Sequence, residues 1–344
     1  MKVAFDISPL KTASGVRGIG SYTQNLLNSL QQCQESISVT TFSDEKIQDA
    51  DLIHYPYFDF FSHTLPIIRT KPRIITIHDV IPLIFRDHYP LGIKGIYRLL
   101  LQKIALKNAD AVICDSSTSM QDIHKTLGYP LGKIFVVYLA PAPVFKKIQN
   151  VKYLNDTRKK YKLPINYFLF VGDVNWNKNI PGLLNAVKET GIHLVMVGNA
   201  LVDKTLPQVQ EIDKEIKNLK IDKRITKTGF VPQQDLCAIY NLASATIVPS
   251  FYEGFGLPLV ESMACATPVL CSNNSSLTEI GGKAAIYFDP SKEHDIAKTI
   301  NTFLSKSMTE RQRISKISQD HASKYSWSKV ARDTINVYKS VLGQ

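Results

Sequence analysis

Residues 248–268 read V-P-S-F-Y-E-G-F-G-L-P-L-V-E-S-M-A-C-A-T-P, and this stretch decides the fold of its half of the chain. The apolar residues up to position 248 predict the end of a buried strand. Pro258 predicts the start of a helix, because its missing N–H is no loss in a first helical turn. Gly254 and Gly256 allow positive φ or a close approach of the backbone to a ligand. Strand, glycine loop and helix in this order are typical of an α/β unit.

The same stretch carries two carboxylates, Glu253 in the glycine loop and Glu261 about a turn into the helix. The free N–H groups and positive dipole end of a helix start favour an anion, above all a phosphate. A carboxylate beside a phosphate would repel it, so we expect Glu253 to face sugar hydroxyls and Glu261 to reach a ribose diol. The alternative is a solvated loop residue at Glu253 and an ordinary helix-surface residue at Glu261.

Short apolar segments alternate with amphipathic ones along the chain, which indicates parallel sheets covered by helices on both faces. Strands are predicted at residues 2–7, 39–42, 52–55, 73–77, 111–114 and 134–137, and helices at 19–30, 94–108 and 117–127. Further strands are predicted at 167–171, 193–197, 225–228, 245–248, 269–271 and 285–288. The predicted fold class is α/β, with two doubly wound Rossmann-like domains that face each other across a donor cleft.

The pattern lapses into prolines and lysines near residues 141–161, and a chain of 344 residues fits two domains of ordinary size. The lapse divides the chain into a first domain over 1–162 and a second over 163–327. We expect the final segment, 328–344, to pack back on the first domain.

Composition bounds the class of protein. With 44% hydrophobic and 21% charged residues the chain is globular, and no apolar run reaches the roughly 18 residues that span a bilayer. Met1 and Lys2 lead directly into a strand-like segment, so we expect a cytoplasmic protein. The formal charge of +11 suits anionic partners such as phosphates, nucleic acid or an acidic membrane, although a solvated basic face is the commoner cause.

The sequence predicts no metal centre. The five cysteines show no C-x-x-C pair or zinc spacing, and their odd number argues against a disulfide framework. Asp49 and Asp51 form an Asp-x-Asp pair, but they lie at the predicted junction between a helix and the strand at 52–55. We therefore expect no metal and no cofactor.

Loops that follow strands are the candidate ligand-binding loops, because ligands bind beyond the carboxyl ends of the strands in such sheets. The first loop holds Gly15, Gly18 and Gly20 before a helix, and Arg17 among them favours an anion. The spacing departs from the dinucleotide fingerprint, so a mere turn is an equal alternative.

Two later loops carry further candidates. His78 follows an apolar strand of the first half, where a structural histidine is the alternative to a functional one. Lys178 precedes Asn179, a candidate helix N-cap, so its charge is placed to neutralise a phosphate held by helix N–H groups. An unremarkable surface lysine is the alternative there.

Five segments together resemble the retaining glycosyltransferases of family 4 (group 1), over nearly the whole chain. They are G-V-R-G-I-G-S-Y at 15–22, T-I-H-D at 76–79, V-G-D-V-N-W-N-K-N at 171–179, T-G-F-V-P-Q-Q-D-L at 228–236 and E-x7-E at 253–261. Within the family the chain is most similar to the mannosyl- and rhamnosyltransferase-like branch. The resemblance implies the two-domain GT-B fold and transfer of a hexose from a nucleotide diphosphate sugar with its anomeric configuration kept.

The resemblance also implies roles for single residues. Glu253 is expected to hold donor-sugar hydroxyls, Glu261 the ribose, and Lys178 the charge on the diphosphate leaving group, while His78 lies close to the transferred sugar. The other implied donor-binding positions are Gly18 and Gly20, which close over the donor, Phe230 and Val231, which meet the base, and Gly254, Phe255, Gly256 and Leu257.

One departure from the family pattern concerns the cation beside Lys178. Family members commonly carry an arginine there, and this chain has Asn177 and Asp173 at the corresponding positions. We hypothesise that Arg17 supplies the absent charge when the domains close. The alternative is a weakened or non-catalytic nucleotide-sugar-binding protein of the same fold.

The implied reaction is metal-independent. No carboxylate is obviously placed as a nucleophile, so the resemblance favours same-face attack, in which the departing phosphate takes the acceptor's proton. A retaining sugar-nucleotide synthase or epimerase on the same fold is a second enzymatic alternative.

The expected partners are a nucleotide diphosphate sugar donor and a glycan or lipid-linked saccharide acceptor. Basic and apolar residues alternate on the helix at 94–107, which is compatible with peripheral contact with the anionic inner face of a membrane. Docking of this helix on its own sheet is the favoured alternative. Nothing resembles a nucleic-acid-binding module, so no nucleic acid is expected.

Overall fold

The computed structural model describes residues 1–11, 18–33, 37–43, 49–61, 64–292 and 294–344. These residues form two compact units. The first comprises Met1–Ala142 together with Tyr325–Gln344, and the second comprises Pro143–Lys324.

The first unit is a parallel sheet of six strands with helices around it. Its strands are β1 (Lys2–Asp6), β2 (Ser38–Phe42), β3 (Leu52–Tyr55), β4 (Arg73–Thr76), β5 (Ala111–Cys114) and β6 (Ile134–Val136). Its helices are α1 (Gly18–Gln31), α2 (Ile81–Ile84), α3 (Gly92–Lys107), α4 (Ser117–Leu127) and, at the far end of the chain, α13 (Trp327–Leu342). The strand order is β2-β1-β3-β4-β5-β6, so the sheet grows in both directions from β1.

The second unit repeats this architecture. Its strands are β7 (Phe168–Val171), β8 (Leu194–Val197), β9 (Ile225–Gly229), β10 (Ala245–Val248), β11 (Val269–Ser272) and β12 (Ile286–Phe288), in the order β12-β11-β10-β7-β8-β9. Its helices are α5 (Val151–Lys160), α6 (Ile180–Thr190), α7 (Pro207–Asn218), α8 (Gln233–Leu242), α9 (Leu257–Ala264), α10 (Ser275–Gly281), α11 (Asp295–Leu304) and α12 (Met308–Ala322). The predicted fold class is confirmed.

The central strands are buried on both faces, which explains their continuous apolar runs. Each residue of β4, β5, β8, β10 and β11 is buried. Because both faces of such a sheet are covered, its polar side chains collect at the strand ends, where the loops begin.

The segment that precedes β7 belongs to a different domain from the one predicted. Residues 143–162 were assigned to the first domain, but they pack in the second unit. The reason is a set of hydrogen bonds to Asp235 of α8, which receives the Tyr153 hydroxyl at 2.8 Å, the Tyr161 hydroxyl at 2.7 Å and the Lys160 ammonium at 2.6 Å. The same segment contains α5, which the sequence pattern did not predict.

A chain of buried polar side chains runs through the first unit. The Tyr22 hydroxyl lies 3.0 Å from Thr76 Oγ1, which lies 2.8 Å from His54 Nε2, and His54 Nδ1 lies 2.6 Å from the Tyr338 hydroxyl. Burial lowers the pKa of His54 to about 3, and the nearby His78 acts in the same direction, so His54 is neutral at physiological pH. This chain links α1, β3, β4 and α13 to one another.

The cysteines are all free thiols. Cys33 is half-buried, and the other four are buried: Cys114, Cys237, Cys265 and Cys271. Within the described ranges, none of the helices is both long and apolar enough to cross a membrane.

Candidate functional site

Two loops of the second unit are fastened side by side. They follow β7 and β10, which are neighbours in the sheet, so both begin at its carboxyl edge. The Trp176 ring stacks on Phe251 at 5.1 Å between centroids. The Phe251 N–H donates to the Asn177 carbonyl at 2.7 Å, and Asn177 Nδ2 donates to the Tyr252 carbonyl at 2.9 Å. Asn177, where relatives were expected to carry an arginine, is therefore a buried clamp between the two loops.

The clamp brings Lys178 directly onto Glu253. Lys178 Nζ lies 2.7 Å from Glu253 Oε1 and 3.0 Å from Oε2, and the Ser250 hydroxyl donates to Oε1 at 2.6 Å. Both partners of this ion pair are largely buried. The sequence predicted both residues for one site, and the structure brings them into contact.

The backbone of Glu253 is fixed by the start of α10. Its N–H donates to the Ser275 hydroxyl at 3.1 Å, and the Ser276 hydroxyl donates to its carbonyl at 2.9 Å. Side chain and backbone are thus held from different elements, so the carboxylate is positioned before any ligand binds.

The glycine loop ends in a tight entry to α9. Gly256 is the N-terminal flanking residue of that helix with a φ of 93°, and a Cβ there would lie 2.7 Å from Leu277 Cδ2. The positive φ favours glycine, and a Cβ would in addition force the buried Leu277 side chain to shift. Gly254 and Phe255 are buried in the same loop, and Leu257 is partly exposed at the first helical position. At the end of β9, Phe230 is exposed and Val231 is buried.

Glu261 lies on α9 and is not an ordinary helix-surface residue. It is partly exposed, and it accepts a hydrogen bond from the buried Tyr240 hydroxyl at 2.9 Å. Burial raises the pKa of Glu261 to about 7, against the opposing effect of the Tyr240 hydrogen bond. The carboxyl group therefore changes charge near physiological pH.

In the first unit, His78 follows β4 and Asp115 follows its neighbour β5. His78 Nδ1 lies 2.7 Å from Asp115 Oδ2, and the Tyr22 ring contacts the imidazole edge-on at 4.6 Å between centroids. The Ser119 hydroxyl donates to the His78 carbonyl at 2.9 Å. In the part of the chain that the structure describes, no atom makes a hydrogen bond of good geometry to His78 Nε2 or to Asp115 Oδ1.

The charges of this pair are coupled. Burial alone would lower the pKa of His78, but the Asp115 carboxylate and its hydrogen bond outweigh burial, with smaller help from Asp79 and the Pro56 carbonyl, so the pKa is raised. Burial raises the pKa of Asp115 against the attraction of His78. Both directions keep a proton in the pair to a higher pH than either free group would hold it.

The glycine loop of the first unit is only partly described. Gly18 and Gly20 lie in the first turn of α1, where Gly20 is buried. Gly15 and Arg17 lie outside the described residues, so the hypothesis that Arg17 supplies a cation stays a prediction.

Both aspartates of the Asp-x-Asp pair contact Lys2. Asp49 forms an ion pair with the Lys2 ammonium, and Asp51 accepts the Lys2 backbone N–H at 2.7 Å. Over the described ranges there is no group of three or more His, Cys, Asp or Glu side chains that could hold a metal ion.

Sequence reasoning missed several partners in these sites. Asp115 could have been found, because it directly follows a buried strand that neighbours the one before His78. Ser250, Ser275 and Tyr240 could not, because their roles depend on which loops the fold brings together. The site residues were therefore easier to predict than the side chains that orient them.

Two family models match this chain. "Glycosyl transferases group 1" matches residues 155–321, and "Glycosyltransferase Family 4" matches residues 41–140. The chain is 30% identical to O-antigen chain mannosyltransferase B of Escherichia coli over 79% of this chain and 71% of that protein. It is 27% identical to the serotype-specific mannosyltransferase WbdA of Escherichia coli over 77% of this chain, but it spans only 33% of WbdA.

Solved structures share the fold over the full length of the chain. Sucrose-phosphate synthase from Thermosynechococcus elongatus matches with a TM-score of 0.77 at 17% identity, over 100% of this chain and 99% of that one. The Anabaena protein HepE, in complex with UDP and glucose, matches with a TM-score of 0.75 at 17% identity, over 99% of this chain and 100% of that one. With two sheets of this architecture and these relatives, the chain belongs to the group 1 glycosyltransferases of family 4, in the mannosyltransferase-like branch, and has the GT-B fold.

Proposed function

We propose that this protein transfers a hexose, of the mannose or rhamnose type, from a nucleotide diphosphate sugar to a glycan or a lipid-linked saccharide. We further propose that the anomeric configuration is retained and that no metal is needed. The observation that carries the proposal is the Lys178–Glu253 ion pair on two clamped loops at the carboxyl edge of a doubly wound sheet. The mannosyltransferase relatives support the hexose, and the UDP complex of HepE supports a nucleotide donor.

The ion pair suits a donor that presents hydroxyls beside a diphosphate. An ammonium has three N–H donors, and the two oxygens of Glu253 use at most two of them, so Lys178 keeps one for a phosphate oxygen. A carboxylate accepts several hydrogen bonds, so Glu253 can receive sugar hydroxyls as well as Lys178 and Ser250. Glu253 thereby orients the cation and binds the sugar.

The remaining donor contacts are proposals of the same kind. Glu261 binds the ribose, and His78 lies near the transferred sugar. Backbone and side-chain groups complete the site at Arg17, Gly18, Gly20, Phe230, Val231, Gly254, Phe255, Gly256 and Leu257.

The proposed chemistry is same-face substitution at the anomeric carbon. The bond from that carbon to the diphosphate oxygen breaks with both electrons going to the phosphate, and the acceptor oxygen forms the new bond on the same face. The departing phosphate takes the acceptor's proton. Lys178 stabilises the charge that develops on the leaving group, which is the effect expected of a preorganised cation.

Ionisation of Glu261 predicts a pH dependence of donor binding. A ribose diol donates two hydrogen bonds, which favours the ionised carboxylate, so affinity should rise with pH. With a pKa of about 7, the ionised fraction grows by up to about tenfold between pH 6 and pH 8. Titration calorimetry with a nucleoside diphosphate at both pH values measures this change.

The phosphate of the ligand also titrates in this range, so Glu261→Gln is the control. The variant should lose the part of the pH dependence that Glu261 contributes and keep the part that belongs to the phosphate. Identical pH dependence in the variant and the wild type would contradict the role of Glu261.

A panel of nucleotide sugars tests the proposed function. Each donor is incubated with and without saccharide acceptors, in the presence of EDTA, and the released nucleoside diphosphate is measured. Release that needs an acceptor, with product of unchanged anomeric configuration by NMR, supports a retaining transferase. Tight binding of a nucleotide sugar without release under any condition would instead favour a non-catalytic nucleotide-sugar-binding protein.

The proposal includes a cytoplasmic location and peripheral contact with an anionic membrane face. The membrane contact follows from the acceptor class, because a lipid-linked saccharide lies at a membrane surface.

A further inference from the structure

Helix α3 has two apolar faces. One is buried against the first unit and consists of Gly95, Leu99, Ala105 and Leu106, with the polar Gln102 buried among them. This is the docking on its own sheet that the sequence analysis favoured. The structure shows that docking uses only part of the apolar surface of the helix.

The other face is exposed to solvent. Ile93, Ile96, Tyr97, Leu100 and Ile104 follow one another at intervals of three to four residues or lie adjacent, so they share one side of the helix. Their exposed fractions lie between 49% and 89%. A run of five large apolar side chains on one helix face is more than the scattered exposure of ordinary surfaces.

Further exposed apolar side chains follow β3 in the chain. Arg98 Nη1 donates to the Phe61 carbonyl at 3.1 Å, and Asn108 Nδ2 donates to the Ile67 carbonyl at 2.9 Å, so Phe61 and Ile67 lie beside α3. Phe61, Ile67 and Ile68 are themselves exposed. We call the surface formed by these three residues and the five exposed apolar residues of α3 the α3 face.

All charged residues of α3 are basic. Lys94, Arg98, Lys103 and Lys107 lie on α3, which contains no acidic residue. Over the described ranges, Lys94 and Lys107 form no ion pair and remain exposed. An apolar stripe flanked by free ammonium groups matches a surface that has anionic groups above hydrocarbon.

We propose that the α3 face rests on a lipid bilayer that contains acidic lipids, with its apolar side chains at the boundary between headgroups and acyl chains. Lys94 and Lys107 contact the lipid phosphates from the rim of the face. The inference names the surface for the membrane contact in the proposed function and rests on that function for its purpose. The test uses vesicles without any sugar donor, so the membrane inference can fail while the proposed sugar transfer is confirmed.

Two other occupants fit the α3 face less well. A second copy in a two-fold contact would place the same surface against itself, so the basic residues of α3 would face one another with no acidic residue on the helix to pair with them. A nucleic acid would satisfy the lysines but would leave the apolar stripe against water or phosphate. An acidic bilayer satisfies both parts.

Co-sedimentation with vesicles tests the proposal on the full chain. The wild type should bind vesicles of phosphatidylcholine with about one third phosphatidylglycerol and should bind phosphatidylcholine alone much more weakly. Higher salt should weaken binding to the acidic vesicles, because it screens the lysines. Equal binding to both vesicle types, or none to the acidic ones, overturns the proposal.

Paired variants locate the contact. Ile96→Ser with Leu100→Ser should lower binding to the acidic vesicles about tenfold or more, since two inserted side chains are lost. The matched control is Ile165→Ser with Ile317→Ser, two exposed isoleucines of the second unit, which should bind like the wild type. Lys94→Gln with Lys107→Gln should also weaken binding, whereas Lys152→Gln with Lys188→Gln should not.

All substituted side chains are exposed, so the melting temperatures should stay close to that of the wild type. Light scattering on the same samples measures the oligomeric state and so tests whether a second copy covers the α3 face. A dimer that Ile96→Ser with Leu100→Ser converts to a monomer would overturn the membrane proposal in favour of a second copy. Wild-type binding by the α3-face variants would overturn it as well.

Discussion

Replacement of Lys178 by alanine is expected to lower the rate of sugar transfer at saturating donor by about 10²–10³-fold, the usual effect of removing one preorganised group that stabilises transition-state charge. The clamp on Asn177 holds Lys178 beside Glu253, so the ammonium is already in place when the diphosphate departs. The effect should fall on kcat, because the charge on the leaving group grows only as the bond breaks. Initial rates over a range of donor concentrations measure kcat and KM separately.

The alanine variant also leaves the buried Glu253 carboxylate without its cation, which destabilises the fold around it. Lys178→Ala combined with Glu253→Gln removes that unpaired charge, so stability should recover while kcat stays low. Lys188→Ala, at an exposed lysine of α6, is the matched control and should be as active as the wild type. An active Lys178→Ala enzyme would remove the central element of the proposed mechanism.

Substitution of Asp115 by asparagine is expected to lower kcat about tenfold to a hundredfold, because it replaces the charged partner of the His78 imidazole, 2.7 Å away, with a neutral amide. The expected effect follows from the proposal that Asp115 positions His78 beside the sugar. The Asp115 carboxylate raises the pKa of His78, so this pKa should be lower in the variant. A merely structural role would change stability without lowering the pKa of His78.

Among the described residues, the groups that contact His78 or couple to its charge are Asp115, Asp79, the Pro56 carbonyl, the neutral His54 and the ring of Tyr22. Only Asp115 changes in the variant, so NMR titration of the His78 ring should report a lower pKa than in the wild type. Asp156→Asn, at an exposed carboxylate of α5, is the matched control and should leave both kcat and the His78 titration unchanged. An unaltered His78 pKa in Asp115→Asn would contradict the assignment.

The sheets were predictable because strands buried on both faces leave a clear pattern of apolar runs between helices. Residues 52–55, 111–114 and 245–248 were predicted with the bounds that the structure has. Helix α5 was missed because it is predominantly polar, with Thr157 as its one buried residue, and is held by hydrogen bonds to Asp235. Such bonds between distant residues leave no periodic trace in the sequence.

The candidate site was predictable to the level of loops. The rule that ligands bind beyond the carboxyl ends of strands placed Lys178 and Glu253 in candidate loops, and the family resemblance assigned them to one donor site before their contact was seen. The function of Asn177 as a clamp could not be predicted, since an asparagine in a loop has many possible partners. The absence of an arginine at position 177 therefore has a structural explanation, because Asn177 joins two loops there.

The return of α13 to the first unit has a consequence for the order in which the protein forms on the ribosome. The Tyr338 hydroxyl, which partners the buried His54 Nδ1, is synthesised 284 residues after that histidine. The second unit is one uninterrupted segment and is complete once Lys324 has emerged, whereas the first unit still lacks a helix. Domains generally fold as units, N-terminal first during synthesis. In this chain we expect the reverse, with the later-encoded unit folding first and the earlier one waiting for its last helix.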